Sequence, residues 1–193
     1  MSWFSGFKKK ELDSIDFSVL KTDIHSHLIP GIDDGAQNLD ESLDLVCALQ
    51  KLGFSKIITT PHTMSDFYKN TPEIIVKGMK DVQNALDQLN IDLEFGAASE
   101  YYVDFDFQKK IENKEFLTFG SKYILIEFSF IDAPINIDEI IFNLQLSGYN
   151  VVLAHPERYL YYGCLLYTSP SPRDQRGSGY PSYGLKKKGR GGG

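Results

Sequence analysis

Apolar positions in the first 162 residues follow two alternating periods. Short runs rich in Ile, Val, Leu, Phe or Tyr at 22–27, 56–60, 92–98, 123–129 and 150–154 predict strands. The segment after the first run, N-L-D-E-S-L-D-L-V-C-A-L-Q-K-L-G, predicts a helix with an apolar stripe at Leu45, Ala48, Leu49 and Leu52. Asn38 or Asp40 can cap it, Asn38 with Glu41 resembles a capping box, and Gly53 supplies the stop. A second helix opens on Thr71-Pro72-Glu73 and buries Ile75, Met79, Val82, Leu86 and Leu89. A third, near 137–147, ends at Gly148. This order predicts an α/β fold: a parallel sheet with helical crossovers, open or closed into a barrel. Sites in such folds gather at the carboxyl ends of the strands.

The pattern stops near Gly163. Residues 163–193 hold six Lys or Arg, one acid and eight of the sixteen glycines, which leaves the first 162 residues with a net charge of −11. Three segments are therefore expected: an N-terminal extension (1–20), one domain (21–162) and a disordered tail (163–193). Within the tail, L-L-Y-T-S-P-S-P-R-D looks like translated vector or adapter sequence, with a native basic linker as the alternative. On that reading the native gene is cut soon after Tyr159.

An acidic body argues against nonspecific nucleic-acid binding, which depends on Lys and Arg at phosphates. The N-terminus lacks the apolar core of a signal peptide, and no run reaches ~18 apolar residues, so stable membrane insertion is not expected. Cys47 and Cys164 form no disulfide or metal framework, and the expected compartment is the cytoplasm. Neither cysteine is followed six residues later by arginine, which excludes a cysteine phosphatase, and no G-x-S-x-G, P-loop or G-x-G-x-x-G is present.

All four histidines fall at predicted strand ends: His25 and His27 in H-S-H, His62 in T-T-P-H, and His155 in A-H-P-E-R. Residues two apart on a strand share a face, ~6.6 Å apart at Cα, so one ion can bridge His25 and His27. The turn P-G-I-D-D-G adds Asp33 and Asp34, although Asp and Gly favour turns in any case. Glu100 follows the small residues of G-A-A-S, and Glu127 stands among large apolar side chains in Y-I-L-I-E-F. A buried carboxylate requires a cation or a proton; the competing reading is an outward-facing or salt-bridged Glu. Arg158 offers a planar fork for phosphate, or else a surface pair with Glu157. Taken together, so many His, Asp and Glu ligands without cysteine suit two or three ions of Mn, Fe, Zn or Mg. With an arginine alongside, phosphoester hydrolysis by a metal-activated water leads the reaction classes.

The ordered set D-I-H-S-H, D-D-G, T-P-H, S-E-Y-Y, L-I-E-F-S and A-H-P-E-R-Y, over roughly 20–162, resembles the PHP (polymerase and histidinol phosphatase) superfamily. Within it, the chain is most similar to the bacterial tyrosine-protein phosphatases of capsule and exopolysaccharide loci. The resemblance implies a distorted (β/α)7 barrel, here incomplete with about five strands, holding three metals, usually manganese. It implies His25 and His27 on one metal, Glu100 bridging to a second completed by Glu127 and His155, and Asp34 and His62 on a third. Asp34 and Arg158 would serve catalysis, with Arg158 holding the substrate phosphate. The implied partner is the phosphotyrosine-bearing tail of a bacterial tyrosine kinase. The family's Asp-x-His pair, which completes two of the metal sites, does not occur after Arg158. The alternatives are a small-molecule PHP phosphatase of the histidinol type and a catalytically inert fragment; a PHP-type nuclease is disfavoured by the acidic body.

Overall fold

Each predicted strand region acquires a parallel partner in the computed structural model, which describes residues 16–162. In chain order the elements are β1 (Thr22–Asp23), α1 (Leu39–Lys51), β2 (Lys56–Thr59), β3 (His62–Thr63), α2 (Pro72–Gln88) and β4 (Glu94–Ala97). There follow β5 (Glu100–Tyr102), α3 (Phe107–Asn113), β6 (Tyr123–Glu127), α4 (Ile137–Leu146) and β7 (Asn150–Leu153). Two single 3-10 turns, Pro156–Arg158 and Leu160–Tyr162, close the described chain.

The sheet is split into two parallel pieces, β1-β2-β4 and β3-β5-β6-β7. Two of the predicted strands end at a kink, and beyond each the chain forms a further short strand outside the predicted run, β3 and β5. At Thr60-Pro61, proline has no N–H to give to the ladder; opposite it, Ala98-Ser99 breaks the neighbouring strand. The ladder is carried across the kink by Ala98 N–H to Thr59 O (2.9 Å) and Glu100 N–H to Pro61 O (3.0 Å). The five strand regions therefore stand side by side in sequence order, as an arc of a β/α barrel whose edges are β1 and β7. Helical crossovers of this kind are the standard way to join parallel neighbours.

Two apolar clusters seat the helices on the arc. One gathers Leu28, Val46, Ile57, Val82, Leu86, Leu93 and Phe95 under α1 and α2. The other gathers Tyr101, Phe107, Ile111, Ile124, Ile126, Phe128, Ile140, Leu144 and Tyr159 under α3 and α4. Fully burying a large apolar side chain contributes roughly 1.5–3 kcal/mol, so these clusters hold the strand ends in place.

Several expectations need correction. The first strand stops at Asp23, and the H-S-H segment continues as extended chain without a strand ladder of its own. The stripe of α1 is rotated by one position: Leu45 (42% exposed) and Ala48 face solvent, while Val46 and Ser42 are buried. Ser42 is tolerated there because its hydroxyl donates to Leu28 O at 2.5 Å. In α2, Ile75, Val82 and Leu86 are buried as expected, but Leu89 lies past the helix end and is exposed. The short α3 was not predicted, since seven residues are too few to show a helical period. Asn38 does cap α1, accepting from Glu41 N–H at 2.9 Å, but Glu41 reaches back to Gln37 N–H, one residue before the expected one. Within the expected N-terminal extension, Phe17 stacks on Phe54, and Gly53 (φ +104°) sits where a Cβ would lie 2.5 Å from Ser18 N. The expected tail, 163–193, and residues 1–15 lie outside the described residues. Among the described residues, no helix is long and apolar enough to cross a membrane.

Candidate metal centre

A buried carboxylate forms the middle of the site. Glu100 opens β5 just after the Ala98-Ser99 kink and has no exposed surface. All four histidines turn towards it. His25 Nε2 and His27 Nε2 each stand 3.3 Å from Glu100 Oε2, His62 Nδ1 stands 3.2 Å from the same oxygen, and His155 Nε2 stands 2.9 Å from Oε1. Glu127, the last residue of β6, adds a second carboxylate 3.3 Å from His62 Nδ1 and 3.5 Å from His155 Nε2. Asp34 approaches His62 Nε2 at 3.6 Å from the cavity mouth, where its side chain is 65% exposed.

The local chain explains this convergence. The H-S-H segment is clamped to β2 by Thr59, whose buried hydroxyl accepts from Leu28 N–H (2.9 Å) and donates to Ser26 O (2.7 Å). Gly35 lets the D-D-G turn lie against that segment, since a Cβ there would sit 2.1 Å from His27 O. The turn thereby brings Asp33 Oδ2 to 2.7 Å from His27 Nδ1, with Gly35 N–H and His62 N–H also donating to Asp33 at 3.0 Å. His62 is additionally stacked on Tyr68, and His155 takes up a left-handed backbone (φ +30°) at the end of β7.

Electrostatics follow from burial and crowding. Burial disfavours charge on His27, but its hydrogen bond to Asp33 and the close Glu100 carboxylate outweigh that and push it up to about 10. Burial works against an ionised Glu100 too, and the close imidazoles of His25 and His27 overcome it, holding the carboxyl well below the usual range. Glu127 is pushed up to about 7, first by burial and then by the neighbouring Glu100 charge. Burial draws His62 down.

The donor set fits divalent ions. Glu100 Oε2 and His62 Nδ1 are buried without a hydrogen-bond partner, an arrangement that costs free energy unless a cation sits between them. Ligand atoms each about 2.1 Å from one ion stand roughly 3.0–3.5 Å from each other, close to the separations seen here. Three groups hold ligand atoms within 4.8 Å of one another: His25, His27 and Glu100; His27, Asp34 and His62; and His62, Glu100 and Glu127. His27, His62 and Glu100 are each shared between two groups, so the geometry is that of adjacent sites. An open cavity of about 460 Å³ above them is lined by His25, His27, Asp34, Gly35, His62, Glu100, His155 and Arg158.

Every residue singled out in the sequence as a candidate ligand is thus brought to one rim, and Arg158 stands beside them. Asp33 is the residue whose place the sequence did not reveal: it was legible as a turn carboxylate, and the structure makes it the partner that orients His27. Thr59 and Phe130, which underlies Arg158 at 4.5 Å, also escaped notice, because an apolar-run threonine and a lone aromatic carry no spacing of their own.

A parallel β/α arc with a His and carboxylate cluster at its strand ends defines the class of α/β proteins that gather candidate metal ligands at one rim of the sheet. More particularly, residues 21–165 match the family described as capsular polysaccharide synthesis, CpsB/CapC, and the chain belongs to that family. It is 34% identical over 137 residues to tyrosine-protein phosphatase YwqE of Bacillus subtilis, covering 70% of this chain and 54% of that protein. It is 32% identical over 138 residues to tyrosine-protein phosphatase CpsB of Streptococcus pneumoniae, covering 71% and 57%. It also superposes, with a TM-score of 0.70 and 32% identity, on a chain from the crystal structures of YwqE and CpsB, described as unique metal-dependent tyrosine phosphatases; 76% of this chain and 61% of that one are covered. The chain spans little more than half the length of the curated relatives it matches.

Proposed function

We propose that the chain carries the metal-binding half of a protein-tyrosine phosphatase that hydrolyses phosphotyrosine on proteins of polysaccharide export. The observation that carries this reading is the convergence of four imidazoles on the fully buried Glu100, with Glu127 alongside. Membership in a family whose relatives are named tyrosine-protein phosphatases supports the substrate class.

His25, His27 and Glu100 would hold one ion; Glu100, Glu127 and His155, with His62 adjacent, a second; and Asp34 with His62 and His27 a third. Divalent ions held there, manganese by preference, would make water more acidic and neutralise charge on phosphate oxygens. Arg158 lines the same cavity and offers two parallel N–H groups to the non-bridging oxygens. Asp34, exposed at the mouth, would accept a proton from the attacking water. The water oxygen bonds to phosphorus, the bond to the tyrosine oxygen breaks, and the proton ends on the phenolate. A phenol ionises near ~10, so this leaving group needs little help compared with an alcohol. We assign the partner as the phosphotyrosine-bearing tail of a tyrosine kinase, acting in the cytoplasm.

The test is release of inorganic phosphate from phosphotyrosine peptides with manganese supplied. Turnover is expected, and His25→Ala or Glu100→Ala is expected to abolish it. Cleavage confined to small alkyl phosphates of the histidinol type would replace this reading with that of a metabolic phosphatase.

A further inference from the structure

Arg158 is the only arginine before Arg173, and among the described residues no carboxylate lies within ion-pair distance of it. Its guanidinium carbon instead sits 4.5 Å from the centre of the Phe130 ring. Phe130 is itself the end of a column of rings: it stacks on Tyr159 (5.7 Å, 26°), which stacks on Tyr161 (5.6 Å, 28°). The base of the column is anchored twice. Tyr159 is buried and accepts from Phe128 N–H at 3.1 Å, and Tyr161 donates to Ser129 O at 2.7 Å, next to Phe130 in the chain. Phe130 also packs beside His155, with centroids 5.6 Å apart, so one ring touches both a candidate metal ligand and the arginine.

We infer that Phe130 is a positioning residue: its ring face sets the plane of the Arg158 guanidinium and leaves both outer N–H groups free for a phosphate at the metal centre. The inference rests on the proposed phosphatase reading for its consequence, though not for its geometry. A carboxylate partner would hold Arg158 equally well but would occupy the donors that phosphate needs and cancel the charge. An aromatic face does neither, because the interaction uses the ring quadrupole and leaves the in-plane donors unspent. The 41% exposure of Phe130 is then accounted for, since the ring must reach out of the core to underlie a side chain at the cavity wall.

The decisive experiment pairs a spectroscopic readout with a kinetic one, on the full chain. A face-stacked guanidinium is shifted upfield by the ring current, and with a single arginine before Arg173 the Arg158 Nε–H resonance is identified by its loss in Arg158→Lys. Phe130→Ala is expected to move that resonance to the position of a free arginine, and Phe130→Tyr, which keeps the face, to leave it in place. In the manganese-loaded protein, Phe130→Ala is expected to weaken competitive inhibition by inorganic phosphate about tenfold and to raise KM more than it lowers kcat. Phe130→Tyr should restore both. Arg158→Ala combined with Phe130→Ala should lose no more than Arg158→Ala alone. An Arg158 resonance indifferent to Phe130→Ala, or a tyrosine variant as impaired as the alanine one, overturns the inference. If the resonance depends on Phe130 but no phosphotyrosine is hydrolysed, the positioning role stands and the phosphatase reading falls.

Discussion

Asp33 Oδ2 lies 2.7 Å from His27 Nδ1, and this contact turns the opposite ring nitrogen, Nε2, towards the buried Glu100. A carboxylate behind an imidazole keeps a proton on Nδ1, so Nε2 is the nitrogen that would give up its proton to a metal ion, and the ring is more basic than an unsupported one. The turn carboxylate therefore governs a ligand it sits six residues away from in the chain.

Asp33→Asn should keep the volume and lose the orientation. The amide can offer N–H where His27 needs an acceptor, so manganese affinity should fall by about 10- to 100-fold. Isothermal titration with manganese measures this; unchanged affinity would mean that His27 does not ligate.

Thr59→Val should loosen the H-S-H segment. The hydroxyl both accepts from Leu28 N–H and donates to Ser26 O in a buried position; valine leaves Leu28 N–H unpaired and Ser26 O with only Thr60 N–H. The expected loss of stability is about 1–3 kcal/mol, read as a lower urea midpoint with an unchanged slope. Metal affinity should fall with it, since both His25 and His27 belong to the clamped segment.

Gly35→Ala should separate the D-D-G turn from the histidines. A Cβ would meet the His27 backbone at 2.1 Å, a contact only a backbone shift can relieve. The variant is expected to lose manganese affinity about as far as Asp33→Asn does, because the same shift carries Asp33 away. Circular dichroism should show the helices intact, which distinguishes a displaced turn from an unfolded domain.

Without metal, stability should fall from mildly acidic to alkaline pH. Glu127 is raised to about 7, so from about 4.5 upward the folded state holds a proton that the unfolded state has lost. His27 is raised to about 10, so its contribution is complete below about 6.5 and is lost as pH climbs through the folded value. Both slopes have the same sign. Manganese should flatten or reverse the fall, since ligation needs the deprotonated groups. Melting temperatures from pH 5 to 9, with and without manganese, check this, and Glu127→Gln should remove the lower part of the slope in the metal-free protein.

Much of this arrangement was legible in the linear order of residues. Periods of two and near four separate strands from helices wherever a run is long enough, and caps such as Asn38 and Thr71 mark helix starts because their side-chain oxygens satisfy free backbone N–H groups. The candidate ligands were legible as well, because His and Glu at the ends of apolar runs are chemically out of place unless something binds them. Burial of Ser42 in place of Leu45 was not legible, since a local stripe cannot say which neighbour offers a carbonyl.

The sequence by itself determined the five main strand regions, three of the helices and the set of candidate metal ligands, because these depend on local periodicity and on residue chemistry. Only the tertiary structure decided how the ligands are shared around Glu100, that Asp33 stands behind His27, and that Phe130 underlies Arg158. Those relationships join residues up to 75 positions apart, from Glu100 to His25, and they exist only once the strand ends are brought to one rim.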